Sequence, residues 1–475
     1  MDLCSPGWER FRFAFGGRVA SVSSMAYSAD TIAALATPVG TSALALVRAS
    51  GPLAAALGET IFCEAPLPRQ ARRGDYRDVA GALLDDVVYT FFQAPNSYTG
   101  EDLLELSCHG NPFIAQKLLE DLSARGCRPA EPGEFTKRAF LNGRLDLSQA
   151  EAVADLIHAR SERALQAANQ QLRGALGRRL QAMTGRLIAL IARVEASIDF
   201  PEEDLPPEDR ASLADGIRRL QADTARLLAT SHYGDVLRDG LKTVLLGEPN
   251  AGKSSLLNRL VGRERALVSP EPGTTRDYLE ERITLGPHCI RLIDTAGLAA
   301  SPTPLGRLAM AKTLERAAAA DLILLILDAT RPAPALPAEI RSRLTPGSAV
   351  AVINKTDLVA PGGGPPAPPA LAVARVSALT GAGCDELEAM VVRHAESFRA
   401  EHGEDLVAIN ARHAVALSQA TRHLQTALDK VASSAPIELL ASDLRGALSA
   451  LGEIAGRIDN ELVLDNLFAT FCIGK

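Results

Sequence analysis

Apolar residues change their spacing several times along the chain, and each change predicts a different kind of element. From Asp30 to about Leu145, short β-rich runs (Ala43–Val47, Val87–Phe92, Leu103–Leu106) alternate with Gly/Pro/Asn turns and helical patches. That text predicts a compact α/β unit. From Ser148 onward the period is helical. Leu172, Leu176, Leu180, Met183, Leu187, Ile191, Val194 and Ile198 form one stripe of a long helix that Phe200-Pro201 closes. The stripe resumes at Leu213, Ile217, Leu220 and Leu227, so a second helix packs on the first.

Between about Lys242 and Phe398, strand-length runs (Thr243–Leu246, Ile290–Ile293, Leu322–Leu327, Ala349–Ile353, Ala372–Val376) alternate with helical segments. Alternation of that kind predicts a mostly parallel, doubly wound sheet with helices on both faces. The Gly- and Pro-rich stretch 359–369 reads as a surface loop inside it. Helical spacing then returns through Leu424, Leu428 and Val431, and through Leu440, Leu444, Leu448, Leu451, Ile454 and Ile458. The expected order is an extension over 1–28, an α/β domain over 29–145, a helical domain over 146–240 and 396–475, and a nucleotide-binding α/β domain inserted at 241–395. Helical stripes of Leu, Ile and Ala are read as core packing.

A length of 475 residues fits roughly three domains, and 47% hydrophobic with 23% charged residues is an ordinary globular balance. The net charge of -7 argues against a sequence-blind electrostatic grip on nucleic acid, so any RNA contact is local or shared with a partner. Seven cysteines without a C-x-x-C pair fit a reducing compartment, the cytoplasm, rather than a disulfide or zinc scaffold. No apolar run reaches membrane-span length. In the extension, Arg10, Arg12 and Arg18 point toward a transit peptide while Asp2 and Glu9 oppose it; the favoured reading starts the chain at Met25.

The chemistry concentrates after Thr243–Leu246. Gly247-Glu-Pro-Asn250-Ala251-Gly252-Lys253-Ser254 lies between that strand and the helical Ser255–Leu260, the context in which G-x-x-x-x-G-K-[ST] cradles phosphates. Lys253 supplies charge to the β/γ-phosphates, Ser254 a hydroxyl to Mg²⁺, and the helix start its positive dipole end. Asp294-Thr295-Ala296-Gly297 ends a strand: Asp294 reaches the metal through water and the Gly297 N–H senses a γ-phosphate. Asn354-Lys355-Thr-Asp357 ends another, and its carboxylate matches the N1–H and amino donors of guanine. Ser377-Ala378-Leu379 covers the base. Four such elements at strand carboxyl ends predict GTP as substrate. Between the first two, Gly273-Thr274-Thr275-Arg276-Asp277 offers Thr275 as a second Mg²⁺ ligand. Leu298 stands where a water-orienting glutamine would help, so Asn250 is read as an oxygen donor to a monovalent cation instead.

Outside this constellation, Asn96-Ser-Tyr-Thr-Gly-Glu-Asp-Leu-Leu-Glu105, Pro132-Gly-Glu-Phe135, Ala139-Phe-Leu-Asn-Gly-Arg-Leu-Asp-Leu147 and Phe471-Cys-Ile-Gly-Lys475 resemble the MnmE (TrmE) family of tRNA-modification GTPases, from Asp30 to Lys475. The resemblance implies an N-terminal domain that forms a homodimer and binds 5-formyl-tetrahydrofolate through Arg48, Glu105, Arg144 and Lys475. Position 144 usually holds Lys in the family; Arg keeps the charge and changes its geometry. It also implies K⁺ held by Asn250, Ser269, Glu271 and Thr274, and a heterotetramer with the FAD-dependent protein MnmG that adds a carboxymethylaminomethyl or aminomethyl group at C5 of the tRNA wobble uridine. No G-x-G-x-x-G opens a helix here, consistent with flavin chemistry on the partner. Cys472 is read either as a thiol acting near the folate or as a buried structural one.

One departure stands out. The family's arginine after Asp-Thr-Ala-Gly-Leu and its later water-orienting glutamate correspond to Ala299 and Gly306, and no acidic residue intervenes between Asp294 and Glu315. The expected consequence is GTP turnover weaker than in relatives. Competing readings are a ribosome-assembly GTPase switch without modification chemistry and a one-carbon transferase with a vestigial GTPase domain.

Overall fold

The computed structural model describes residues 30–199, 207–264, 280–295, 298, 304–400, 407–433, 435–456, 467–469 and 471–474. The extension and its proposed start at Met25 lie outside the described residues. The chain forms two compact units, Met1–Arg144 with Asn460–Lys475, and Leu145–Asp459.

The first unit runs β1 (Thr31–Leu35), β2 (Leu44–Ser50), α1 (Ala54–Phe62), β3 (Ala71–Arg77), β4 (Leu83–Phe92), β5 (Leu103–His109), α2 (Pro112–Ala124), β6 (Cys127–Pro129) and α3 (Glu134–Leu141). Its sheet has the order β3-β4-β5-β2-β1-β6, antiparallel except between β1 and β6. Side chains alternate across a strand. Ala45, Val47 and Ala49 of β2 and Leu104, Leu106 and Cys108 of β5 therefore enter the core that includes Leu57 of α1 and Leu118 of α2. The opposite face, where Ile32, Ala34 and Leu103 pack on Phe135 of α3, receives Arg48 and Glu105. The apolar pattern does not reveal β3, because its Ala-Arg-Arg-Gly-Asp-Tyr-Arg text is charged as befits an edge.

The second unit begins with α4 (Leu147–His158), α5 (Glu162–Leu172), α6 (Ala175–Asp199), α7 (Pro207–Ala229) and α8 (Ser231–Asp239). The long stripe expected from Leu172 is split: Leu172 closes α5 and α6 starts at Ala175. Leu172 and Leu176 keep a helical spacing across the break, so the period alone cannot register it. Next come β7 (Leu241–Gly247), α9 (Lys253–Glu264), β8 (Glu280–Leu285), β9 (His288–Asp294), α10 (Pro304–Ala318), β10 (Leu322–Asp328), α11 (Ala338–Arg343), β11 (Ala349–Asn354), β12 (Ala372–Arg375) and α12 (Cys384–Ala400). The unit closes with α13 (Ala411–Ala432) and α14 (Ile437–Ala455); Ile458, last in the expected stripe, lies outside the described residues.

Helices α6, α7, α13 and α14 enclose one core that includes Leu187, Ile217, Leu424 and Leu451. The sheet order is β12-β11-β10-β7-β9-β8, with β7, β9, β10, β11 and β12 parallel and the edge strand β8 antiparallel to β9. Leu256, Leu260, Leu387 and Val391 cover one face, and Ala317 and Ile340 the other. The sheet is joined to the helices twice, and α8 holds both connections. It leads into β7, while Thr230 Oγ1 ahead of it donates to the Val407 carbonyl at 2.9 Å and Arg238 Nη2 to the Ile409 carbonyl at 2.9 Å.

Within the helices, the Glu151 carboxylate of α4 accepts Arg412 Nε on Oε1 at 2.8 Å and lies 2.7 Å from His413 Nε2 through Oε2. Burial alone would raise this carboxyl, yet His413 and Arg412 hold it down to about 2. A folded-state value below the ordinary one near about 4.3 means stability that is present above that value and lost as pH falls through the folded one. Glu151→Gln is expected to cost about 3 kcal/mol at neutral pH, the deficit shrinking as the wild type itself weakens between about pH 4 and pH 2. Thermal unfolding of both proteins across that range checks this; a deficit independent of pH contradicts it.

Candidate functional site

The phosphate loop spans the turn between β7 and α9. Gly252 adopts φ +91°, and a Cβ there would lie 2.2 Å from Asn354 Nδ2, so the loop admits only glycine at this point. Asn250 takes φ +66°, a left-handed conformation that Asn tolerates better than most residues. Lys253 is buried and donates its ammonium to the carbonyls of Gly247 (3.2 Å) and Glu248 (2.9 Å). Burial holds its pKa below the ordinary lysine value, with Asp294 opposing that shift. A buried cation held by neutral carbonyls is primed for an anion, and phosphate is the anion this loop geometry serves.

Beside it, Ser254 Oγ donates to Asp294 Oδ2 at 2.7 Å, while Asp294 Oδ1 is buried and has no hydrogen-bond partner among the described residues. A hydroxyl against a carboxylate with an unsatisfied oxygen fits a hard divalent cation with its retained waters. Thr295 is spent on the fold, donating Oγ1 to the Leu245 carbonyl at 2.7 Å, and the Leu298 N–H donates to the Gly247 carbonyl at 2.9 Å. Ser269, Glu271, Thr274, Thr275, Ala296, Gly297 and Ala299 lie outside the described residues, as does the environment of Gly306, which falls on α10. Glu315 sits on an exposed face of α10.

Along the side of α9 a cavity of about 660 Å³ opens between the turn after β7 and the loops after β11 and β12, lined by Gly252, Ser255, Asn354, Lys355, Asp357 and Leu379 among others. Asn354 is fully buried and commits both ends of its amide, Nδ2 to the Ala251 carbonyl at 3.0 Å and Oδ1 to the Ala378 N–H at 3.0 Å. It braces the loop after β7 against the loop after β12. Lys355, at φ +65°, reaches Asp328 at the end of β10, 2.7 Å away. Burial would raise Asp328, but Lys355 and Thr330 hold it below the usual carboxylate range. Asp357 stands exposed at the cavity mouth and accepts Ser377 Oγ on Oδ1 at 2.5 Å. Leu379, 78% exposed, supplies an apolar surface suited to a flat base. Asn258, Arg259, Gly262 and Leu358, none of them a candidate from the sequence, also line this space. The available signal was helical spacing, since Arg259 falls four residues after Ser255 on α9.

In the first unit, Arg48 Nε donates to Glu105 Oε1 at 2.8 Å as a directly opposed pair on β2 and β5. Its Nη1 donates to the Gly474 carbonyl at 3.4 Å, and its guanidinium stands 5.9 Å from the Tyr98 ring centroid. Tyr98 is fixed by a 2.8 Å hydrogen bond with Thr136. The terminal segment is seated closely here. Gly474, at φ +92°, has no room for a Cβ, which would meet the Leu35 carbonyl oxygen at 2.4 Å, and the Gly133 N–H donates to the Cys472 carbonyl at 3.3 Å. Cys472 is exposed, which excludes the buried structural thiol allowed by the sequence. Arg144 is exposed as well, its side chain beginning beside Gly100, and Lys475 lies outside the described residues.

Among the described residues no helix is long and apolar enough to cross a membrane. Residues 31–144 match the family model described as the GTP-binding protein TrmE N-terminus, and residues 147–472 that of the MnmE helical domain. The tRNA modification GTPase MnmE of Opitutus terrae is 59% identical over 450 residues, covering 94% of this chain and 99% of that one. Proteins of the same description from Akkermansia muciniphila and Symbiobacterium thermophilum are 42% and 43% identical, each covering 94% of this chain and 99% of the relative.

Proposed function

The chain belongs to the MnmE family of tRNA modification GTPases, and from that premise we propose that this GTP hydrolase helps place a carboxymethylaminomethyl or aminomethyl group at C5 of the wobble uridine, using a one-carbon unit from 5-formyl-tetrahydrofolate. The observation that carries the folate part is the meeting of Arg48, Glu105 and the Gly474 carbonyl on one face of the first sheet. A guanidinium and a carboxylate side by side suit a ligand with a donor–acceptor pterin edge and an anionic glutamate tail. Arg144 and Lys475 would complete its contacts, and the exposed Cys472 thiol is available beside the same segment.

In the GTPase reading, Lys253 neutralises the β/γ-phosphates, the phosphate-loop N–H groups orient them, and Asp357 with Ser377, Ala378 and Leu379 selects guanine. Ser254 and Thr275 would hold Mg²⁺, with Asp294 behind Ser254; when bound, the ion offsets phosphate charge. Asn250, Ser269, Glu271 and Thr274 would hold K⁺, and the Gly297 N–H would sense the γ-phosphate. With Gly306 where a water-orienting glutamate would stand, hydrolysis rests on positioning and charge, and it is correspondingly slow. The working form is a cytoplasmic homodimer that joins an FAD-dependent MnmG partner on tRNA.

Nucleoside analysis of tRNA from cells lacking the gene tests the reading. The expected result is loss of the 5-substituted wobble uridine and its return on complementation; an unchanged profile would favour a ribosome-assembly switch.

A further inference from the structure

We infer that Arg259 is a positioning residue for the nucleotide: it clamps the base-covering loop to α9 and so sets how long guanine nucleotide stays bound. The inference rests on the reading of the 660 Å³ cavity as the guanosine site. Arg259 Nε donates to the Ala378 carbonyl at 3.1 Å, and its Nη2 donates to the Leu379 carbonyl. One planar guanidinium thus holds two consecutive carbonyls of the loop that follows β12, a fork geometry that an ammonium cannot reproduce. A trans peptide carries its C=O and N–H on opposite edges. Fixing the Ala378 carbonyl toward α9 therefore turns the Leu379 N–H away from α9.

The loop has few other anchors. Ser377 accepts from the N–H groups of Thr380 and Gly381 and donates its Oγ to Asp357, and the Ala378 N–H meets Asn354, but these bonds are local or lie on the side of the loop after β11. Arg259 supplies the tie on the α9 side. Gly381 follows in the same loop at φ +89°, a left-handed conformation that favours glycine. Because α9 begins at Lys253, the same helix carries the phosphate contact at its first residue and the loop clamp less than two turns later. Base and phosphate subsites are thereby held at a fixed separation. The interaction acts on bound GTP and GDP alike, so its loss should appear as weaker binding and not as a slower chemical step.

The test is stopped-flow release of a fluorescent GDP analogue from the full-length protein, with steady-state GTP hydrolysis, for wild type, Arg259→Ala and Arg259→Lys. Release is expected to be roughly ten-fold faster in Arg259→Ala, a loss of about 1.4 kcal/mol. KM for GTP should rise without a fall in kcat, and Arg259→Lys should recover less than half of the difference on a logarithmic scale. Arg259→Lys also decides the matter should the alanine variant fold poorly: wild-type release from it overturns the clamp. Unchanged release from a folded Arg259→Ala overturns it too, provided Asp357→Asn in parallel weakens guanine binding. If Asp357→Asn leaves guanine binding intact, the cavity is not the guanosine site and both readings fall together.

Discussion

Asp357→Asn is expected to convert the protein from a guanosine- to a xanthosine-triphosphate hydrolase. Guanine offers two donors, N1–H and the 2-amino group, to a carboxylate at the cavity mouth; xanthine replaces the amino group by a carbonyl. In the present structure one carboxylate oxygen of Asp357 already accepts Ser377 Oγ at 2.5 Å. An asparagine that keeps its oxygen on Ser377 turns its NH₂ toward the base, where it opposes the guanine amino group and pairs with the xanthine oxygen. Leaving a donor facing a donor where the bound base covers the cavity mouth costs roughly 4 kcal/mol, about a thousand-fold in kcat/KM. Competition between GTP and XTP in turnover measures it. Retained preference for GTP would place base recognition elsewhere.

The second large effect concerns the metal. Ser254→Ala removes the hydroxyl that lies 2.7 Å from Asp294 Oδ2, beside an Asp294 Oδ1 with no hydrogen-bond partner among the described residues. GTP turnover is expected to fall by roughly a hundred- to a thousand-fold, the scale on which single preorganised electrostatic contacts act. Affinity for GDP measured without Mg²⁺ should change little, since Lys253 and the loop N–H groups remain. A Mg²⁺ titration separates the two effects: the variant should need far more metal and still fall short. Turnover with an unaltered Mg²⁺ dependence would remove Ser254 from the metal site.

The sequence reveals some of this site and hides the rest for definite reasons. The loop from Gly247 to Ser254 is legible because its chemistry depends on residues consecutive in the chain, where a missing Cβ or a single lysine has one meaning. The central strands β7, β10 and β11 are legible because burial on both faces makes them continuous apolar runs. β3 and β8 are not, since these two edge strands carry charge in place of that signature. Arg259 meets its carbonyls across 119 and 120 residues, and no local pattern encodes such a meeting. Arg48 and Glu105, 57 residues apart, were named only through family resemblance; the register of β2 on β5 supplies the physical reason they belong together. The two ends of the Asn354 amide likewise become intelligible only once both loops are seen around it.

The paired connections on α8 have a mechanical meaning. A domain tethered at two distant points can shift only by bending both tethers, whereas here the outgoing chain and the returning carbonyls of Val407 and Ile409 are gathered on one short helix and the threonine before it. Any change of angle between sheet and helices therefore bends the chain at α8, and it must also carry along or break the contacts of α5, where the Arg163 N–H donates to the Pro287 carbonyl at 3.1 Å and Arg163 Nη2 to Glu396 at 2.9 Å.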